Sequence, residues 1–197
     1  MGMPAYASPH WTAADVRDLM VESRPWPRYE LLDGELLVTP APAAAHQVAV
    51  GELFLVIATY CRRMRIGLAV LSPADLELLP DTIMQPDVFV VPPGTFPKDV
   101  TPAWSYIKAL VLAVEVLSPS TVRTDRVSKR DFYLANGVRE YWIVDLDARV
   151  VESWTPERSR PVLCRDELVW QPEGASEPLS VSLPHFFEER CGLPRLL

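Results

Sequence analysis

Glu115 interrupts Val111-Leu-Ala-Val-Glu-Val-Leu117, a run that is otherwise apolar. A Val/Leu-rich segment bounded by Ser118-Pro119 has the pattern of a central strand covered on both faces. A carboxylate buried there alone costs several kcal/mol, so it must be protonated, paired or bound to a cation. A second run, Pro86-Asp87-Val-Phe-Val-Val91, opens on another acid. Two acids on two core strands can meet and hold a hard divalent cation through oxygen ligands. A cation placed that way activates water and neutralises charge developing in phosphodiester hydrolysis.

An amine beside the two acids would serve the same developing charge. The helix expected from Arg123 to Asn136 directly follows the Glu115 strand, so its first turns lie near the carboxyl end of that strand. At about 100° per residue, Arg126, Lys129, Arg130 and Tyr133 share one side of it. Lys129 is therefore expected to point toward Glu115 and Asp87. Gly137 fits the C′ position that ends this helix.

The remaining elements frame those residues. Thr12-Ala-Ala-Asp15 reads as a cap opening a short helix to about Met20. Asp33-Gly34, set between Tyr29-Glu-Leu-Leu and Glu-Leu-Leu-Val38, favours a hairpin with a type I′ turn. That register puts Glu30 on one face with Leu32 and Leu37, opposite Tyr29, Leu31, Leu36 and Val38. From Ala44 to Arg65 the stripe His46, Val50, Leu53, Ile57, Tyr60 and Met64 predicts a long helix, with Gly67 at its exit. Strands are expected around Ala69–Leu79, over Pro86–Val91, and from Arg139 to Asp145. Val150–Trp154 follows, and short β-like runs fill 155–197. The order predicts an α/β or α+β fold with a mixed central sheet flanked by helices. We read 1–197 as a single domain with its core over about 12–154 and a β-rich C-terminal extension.

Composition bounds the function. The chain has 197 residues, 49% hydrophobic and 23% charged, which describes a folded protein with a full core rather than a disordered one. No apolar stretch is read as reaching the roughly 20 residues of a membrane helix, and no secretory signal is seen. Three widely spaced cysteines, Cys61, Cys164 and Cys191, suit reduced thiols and a cytoplasmic location. A net charge of −7 argues against a dedicated DNA-binding module, although not against a nuclease with its basic residues on one face.

The ordered set Tyr29-Glu-Leu-Leu-Asp-Gly34, His46, Pro86-Asp87-Val, Val114-Glu-Val-Leu-Ser-Pro-Ser120, Lys129-Arg130 and Gly137-Val-Arg-Glu-Tyr-Trp142 resembles the Uma family of putative restriction endonucleases. That family lies within the PD-(D/E)XK nuclease superfamily, and the resemblance spans roughly Thr12 to Trp154. It implies a restriction-endonuclease-like core and an Mg²⁺- or Mn²⁺-dependent endonuclease acting on nucleic acid, with DNA the expected substrate. Asp87 and Glu115 would be metal ligands, joined by the backbone carbonyl of Val116. Leu117 stands where the superfamily motif has lysine, so the resemblance assigns charge stabilisation or water activation to Lys129 on the following helix. Glu30 would be a third acid acting through water, and His46 would sit at the edge of the site. Lys129-x-x-x-Tyr133 resembles a substrate-positioning motif of some relatives.

Each residue also has a plainer reading. Glu115 could pair structurally with Arg126 or Lys129, and Asp87 could cap a turn. Lys129 could be a solvated helix lysine, Glu30 a surface charge, His46 a core or capping histidine, and Tyr133 a packing residue. Two other functions follow from these readings: a catalytically inactive nuclease scaffold used for binding or assembly, and a metal-dependent hydrolase of small phosphoesters. Cutting both strands of a duplex calls for a symmetric dimer, which makes a homodimer one expectation.

Overall fold

The structure is a computed structural model that describes residues 10–22, 26–96, 98 and 104–192. Helix α1 (Ala13–Glu22) opens on a reciprocal cap. The Thr12 backbone N–H donates to Asp15 Oδ2 at 2.9 Å, and the Asp15 N–H donates back to Thr12 Oγ1 at 3.3 Å. Strands β1 (Arg28–Leu32) and β2 (Glu35–Thr39) form the expected hairpin, in the register Tyr29↔Val38, Glu30↔Leu37 and Leu31↔Leu36. Asp33 and Gly34 have φ of 51° and 76°, the two left-handed residues that a type I′ turn requires. The period of two divides the hairpin between two cores. Leu31 packs with Ala13, Val16 and Ile83, while Leu32 and Leu37 join the cluster that holds Tyr133 and Ile143.

Helix α2 (Ala44–Met64) buries Ala49, Val50, Leu53, Ile57, Ala58, Tyr60 and Cys61, which covers most of the expected stripe. Its 21 residues are long and apolar enough, by length and composition, to cross a membrane. This corrects the reading that no apolar stretch reaches that length; here one face of α2 packs into the core over the central sheet. Gly67, past the end of α2, has φ of 149°, and a Cβ there would lie 2.3 Å from the Val91 carbonyl oxygen. Only glycine lets these two backbones approach so closely.

Six strands form the central sheet in the order β3-β4-β5-β6-β7-β8. They are β3 (Leu68–Leu71), β4 (Val88–Val91), β5 (Leu112–Val116), β6 (Tyr141–Asp145), β7 (Val150–Trp154) and β8 (Val162–Cys164). The β5–β6 pair is parallel and the others are antiparallel, so the sheet is mixed as predicted. The strand expected over Ala69–Leu79 ends at Leu71, ahead of Ser72-Pro73, because proline has no N–H to donate to a ladder. Beyond it the chain turns at Pro80-Asp81 and returns through a single bridge, Leu76↔Met84.

A parallel pair needs a crossover, and residues 122–135 supply it as helix α3. Its backbone is α-helical at Val122–Thr124, widens to a π turn over Asp125–Lys129, and is α-helical again over Arg130–Ala135. Gly137 has φ of 81°, and the Val138 N–H donates to the Tyr133 carbonyl at 3.1 Å, the long bond of a Schellman cap.

The C-terminal segment is more integrated than an appended extension. Strands β9 (Glu167–Trp170) and β10 (Leu179–Ser182) make a second hairpin, followed by a helical turn α4 over residues 183–190. Trp170, Phe186 and Phe187 pack in the same core as α2, and Tyr60 Oη donates to the Glu177 carbonyl at 2.7 Å. Cys61, Cys164 and Cys191 are free thiols.

Candidate active site

Alternation along β4 and β5 decides where the two acids go. Val88, Val90, Leu112, Val114 and Val116 face α2, whereas Phe89, Val91 and Ala113 face the side of α3 and the β1–β2 hairpin. Asp87 and Glu115 continue the second set. The pairing Val88↔Val114, carried one step further, sets Asp87 directly opposite Glu115. Like charges facing each other across strands are destabilising, so the surroundings must compensate them.

Those surroundings come from three other elements. Lys129, in the π turn of α3, sends Nζ to Glu30 Oε2 at 2.8 Å, to Glu115 Oε1 at 3.0 Å and to Asp125 Oδ1 at 3.5 Å. Glu30, on β1, also accepts the Gln85 backbone N–H at 2.7 Å. Asp87 Oδ2 accepts the Val116 N–H at 2.9 Å and lies 3.3 Å from His46 Nε2, contributed by the first turn of α2. Arg28, two residues before Glu30 on the same face of β1, lies 3.6 Å from Asp87 Oδ1. Glu30, Asp87, Glu115, Asp125 and Lys129 are all buried.

Four buried carboxylates around one lysine and one arginine leave negative charge in excess, and the proton affinities follow from that. Burial is the largest influence on Glu115 and raises it; Lys129 opposes this, but Asp125, Asp87 and Glu30 add to it, and Glu115 ends well above the usual carboxylate range. Burial also dominates in raising Asp125, against Lys129 and Thr121. Asp87 goes the other way. Burial would push it up, yet His46, the Val116 N–H and Lys129 together hold it below the ordinary value. Burial would strip Lys129 of its proton, but Glu115, Glu30 and Asp125 keep it firmly protonated.

The cluster forms the floor of a cleft of about 760 Å³. Glu30, Asp87, Glu115, Lys129, Val116 and His46 all line it, so the structure brings together six of the residues singled out in the sequence. Three others stand elsewhere. Tyr133 is fully buried beneath the cleft, its hydroxyl 3.4 Å from Glu115 Oε1 and its ring 5.1 Å from Tyr141, and it cannot reach a substrate. Arg126 pairs with Asp145 and Glu152, both at 2.8 Å, on the side toward β6 and β7. Arg130 pairs with Asp131 and covers the Trp154 ring at 4.7 Å. Neither arginine lines the cleft. The buried stripe of α3 is Asp125, Lys129, Phe132 and Tyr133, spaced i, i+4, i+7 and i+8, with both arginines one step around from it.

Sequence reasoning missed Asp125, Arg28 and Gln85. Each carried a signal: Asp125 stands four residues before Lys129, while Arg28 and Gln85 stand two residues before acids on extended segments.

The donor set suits a hard divalent cation, since every acid offers oxygen and the carboxylates outnumber the cations. Among the described residues no three His, Cys, Asp or Glu side chains converge to enclose an ion by themselves. A hard divalent cation held there would need water or substrate oxygens to complete its shell. Asp87, Glu115 and the Val116 carbonyl are the residues that would hold it.

Over 87% of its length the chain is similar in fold to 96% of a crystal structure of a putative nuclease belonging to DUF820 from Anabaena variabilis, with a TM-score of 0.71 at 24% identity. No curated protein matches the sequence. Residues 14–186 match the Uma2 family, described as "Putative restriction endonuclease". With the match covering the hairpin, the central sheet and every residue of the cleft cluster, the chain belongs to the Uma2 family.

Proposed function

We propose that the chain is a divalent-metal-dependent endonuclease that hydrolyses phosphodiester bonds in nucleic acid, DNA before RNA. The observation that carries this reading is the pair Asp87 and Glu115, set opposite each other on neighbouring strands with Lys129 2.8–3.0 Å from its nearest carboxylates. A fold built for stability alone has no use for two opposed buried acids at the floor of an open cleft. When bound, a divalent cation supplies charge neutralisation at the reacting phosphorus and a water of lowered pKa.

The chain's own residues divide the remaining work. Asp87 stays ionised across the neutral range, because His46 and the Val116 N–H stabilise its anion. Lys129 keeps its proton and presents a fixed positive charge beside the acids, placed to stabilise negative charge on the phosphoryl oxygens as the new P–O bond forms and the old one breaks. Glu30 and Asp125 fix Lys129 Nζ from two further sides.

The test is cleavage of DNA in Mg²⁺ or Mn²⁺ by the parent chain, Asp87→Asn, Glu115→Gln and the double variant. These near-isosteric changes keep the fold measurable by circular dichroism. Loss of cleavage in both single variants is the expected result, and a double variant that cuts as well as the parent would sink the proposal. A second reading, a non-catalytic scaffold, draws on the fact that Lys129 already engages Glu30, Glu115 and Asp125. Calorimetric titration separates the two, since a scaffold shows no Mg²⁺ or Mn²⁺ binding heat that disappears in Glu115→Gln.

A further inference from the structure

Above its acidic floor the cleft has a wall of a different kind. Its lining includes Pro40, Ala41, Pro42, Pro119, Leu146 and Ala148, together with Trp26. Among the described residues six carboxylates line it, the four of the floor plus Asp145 and Asp147, against two cations, Arg28 and Lys129. Both cations are already engaged with acids, Arg28 with Asp87 and Lys129 with three. A duplex presents a phosphate charge about every 1.7 Å along its axis and is held largely by cations that meet those charges. The chain's basic cluster, Arg62, Arg63 and Arg65, is at the other end of α2. Sixteen residues of helix separate His46 from Arg62, about 24 Å at 1.5 Å per residue, so that cluster stands well away from the cleft. A volume of about 760 Å³ belongs to the range of small-ligand pockets, which runs from about 300 to 1,000 Å³.

One lining feature suits a nucleobase. Arg28 lies over the Trp26 ring, its guanidinium carbon 4.5 Å from the centroid, and both residues line the cleft next to Asp87. An aromatic ring and a planar guanidinium are the two surfaces on which unstacked bases rest in single-strand sites. Building on the hydrolase reading above, we propose that the cleft takes an unstacked nucleotide of a single strand, its base against Trp26 and Arg28 and its phosphodiester over Asp87 and Glu115, and that it excludes an intact duplex. Binding then comes from base stacking and apolar contact rather than from a ladder of phosphate contacts. A single-strand cut also needs no second copy of the site.

The test measures binding apart from cleavage. Parent protein, with Ca²⁺ in place of Mg²⁺ as the hard divalent cation, is titrated into one fluorescent oligonucleotide, presented as a single strand and as a duplex, at several salt concentrations. The single strand is expected to bind at least about tenfold tighter, with a shallow salt dependence. Trp26→Ala, introduced into that protein, is expected to weaken single-strand binding about tenfold, and Trp26→Phe to restore most of it. Thermal unfolding of the Trp26 variants confirms that the fold is kept. Duplex binding as tight as or tighter than single-strand binding, binding of neither form, or an affinity indifferent to Trp26→Ala overturns the inference. Parent-chain cleavage is read in parallel. Asp87-dependent cutting of duplex but not single strand defeats this inference and leaves the hydrolase standing, whereas single-strand binding with no cutting of any substrate defeats the hydrolase alone.

Discussion

The two faces of the central sheet use the same strands for different ends. Toward α2, β4, β5 and β6 present Val88, Val90, Leu112, Val114, Val116, Trp142 and Val144, closed by Leu53, Ile57 and Trp170 in an apolar core. Toward α3 and the hairpin, the alternate positions begin as an ordinary core, with Phe89, Ala113, Tyr141 and Ile143. They end at one edge in Asp87 and Glu115, ringed by Glu30, Asp125 and Lys129. Shifting either strand by one residue would exchange the two sets, so the apolar face fixes the register that places the acids. One face stabilises the molecule. The other concentrates charge that stability does not require, and the contrast marks the site.

Removing Lys129 breaks the comparison most severely. Lys129→Ala leaves Glu30, Glu115 and Asp125 buried together without their shared cation. Stripping one partner from a buried ion cluster costs about 3–5 kcal/mol. Urea unfolding at neutral pH should show a loss of that size. A loss under about 1 kcal/mol would mean that water reaches the cluster far more freely than the packing indicates.

The apolar face gives the matching control. Ile57→Ala, at a side chain only 1% exposed, should cost about 2–5 kcal/mol through lost burial and the cavity left behind. Cleavage by the protein that remains folded should be unchanged, because Ile57 packs in the α2-side core and does not line the cleft. A variant of normal stability and reduced cleavage would show that the two faces are not separable.

Much of this division was legible in the sequence. The hairpin followed from Asp33-Gly34, the α2 stripe from its period, and the end of α3 from Gly137, all signals carried within a few residues. Asp87 and Glu115 stood out as acids in apolar runs. What escaped were relations that form only in space. The pairing of Arg126 with Glu152 and Asp145 depends on β6 and β7 lying beside α3, so the arginines were assigned to the wrong side of the helix. Helix α4 and the burial of Trp170, Phe186 and Phe187 depend on α2, more than a hundred residues earlier, and nothing local announces them. The partners of Asp87 and Glu115 come from β1, α2 and α3 at once.

Acidity sharpens the contrast within the charged face. Glu115 holds its proton more tightly when folded than when unfolded, so stability falls as pH rises from its unfolded value, about 4.3, through its raised folded value. Asp87 behaves in the opposite sense: its contribution is present above about pH 3.9 and is lost as pH falls through its depressed folded value. In EDTA at neutral pH, Glu115→Gln should therefore stabilise the fold, while Asp87→Asn should destabilise it. Adding Mg²⁺ should raise the melting temperature of the parent chain and leave that of Glu115→Gln almost unmoved. Melting curves across pH, with and without Mg²⁺, check both signs, and equal responses from the two variants would contradict the asymmetry.

The smallest effects are expected at the flank of α3. Arg126 and Arg130 carry two of the charges closest in sequence to Lys129, yet their partners face β6, β7 and solvent. The Arg126 side chain is 35% exposed, so solvent screens its pairs with Asp145 and Glu152. Arg126→Ala and Arg130→Ala should each cost about 0–1 kcal/mol, with kcat within about twofold of the parent. Arg126 is the more informative of the two, because Asp145 lines the cleft and Arg126 is paired with it. Should Arg126→Ala reduce kcat by tenfold or more at unchanged stability, the site extends past Lys129 toward β6, and the boundary between the charged cluster and its flank must be redrawn.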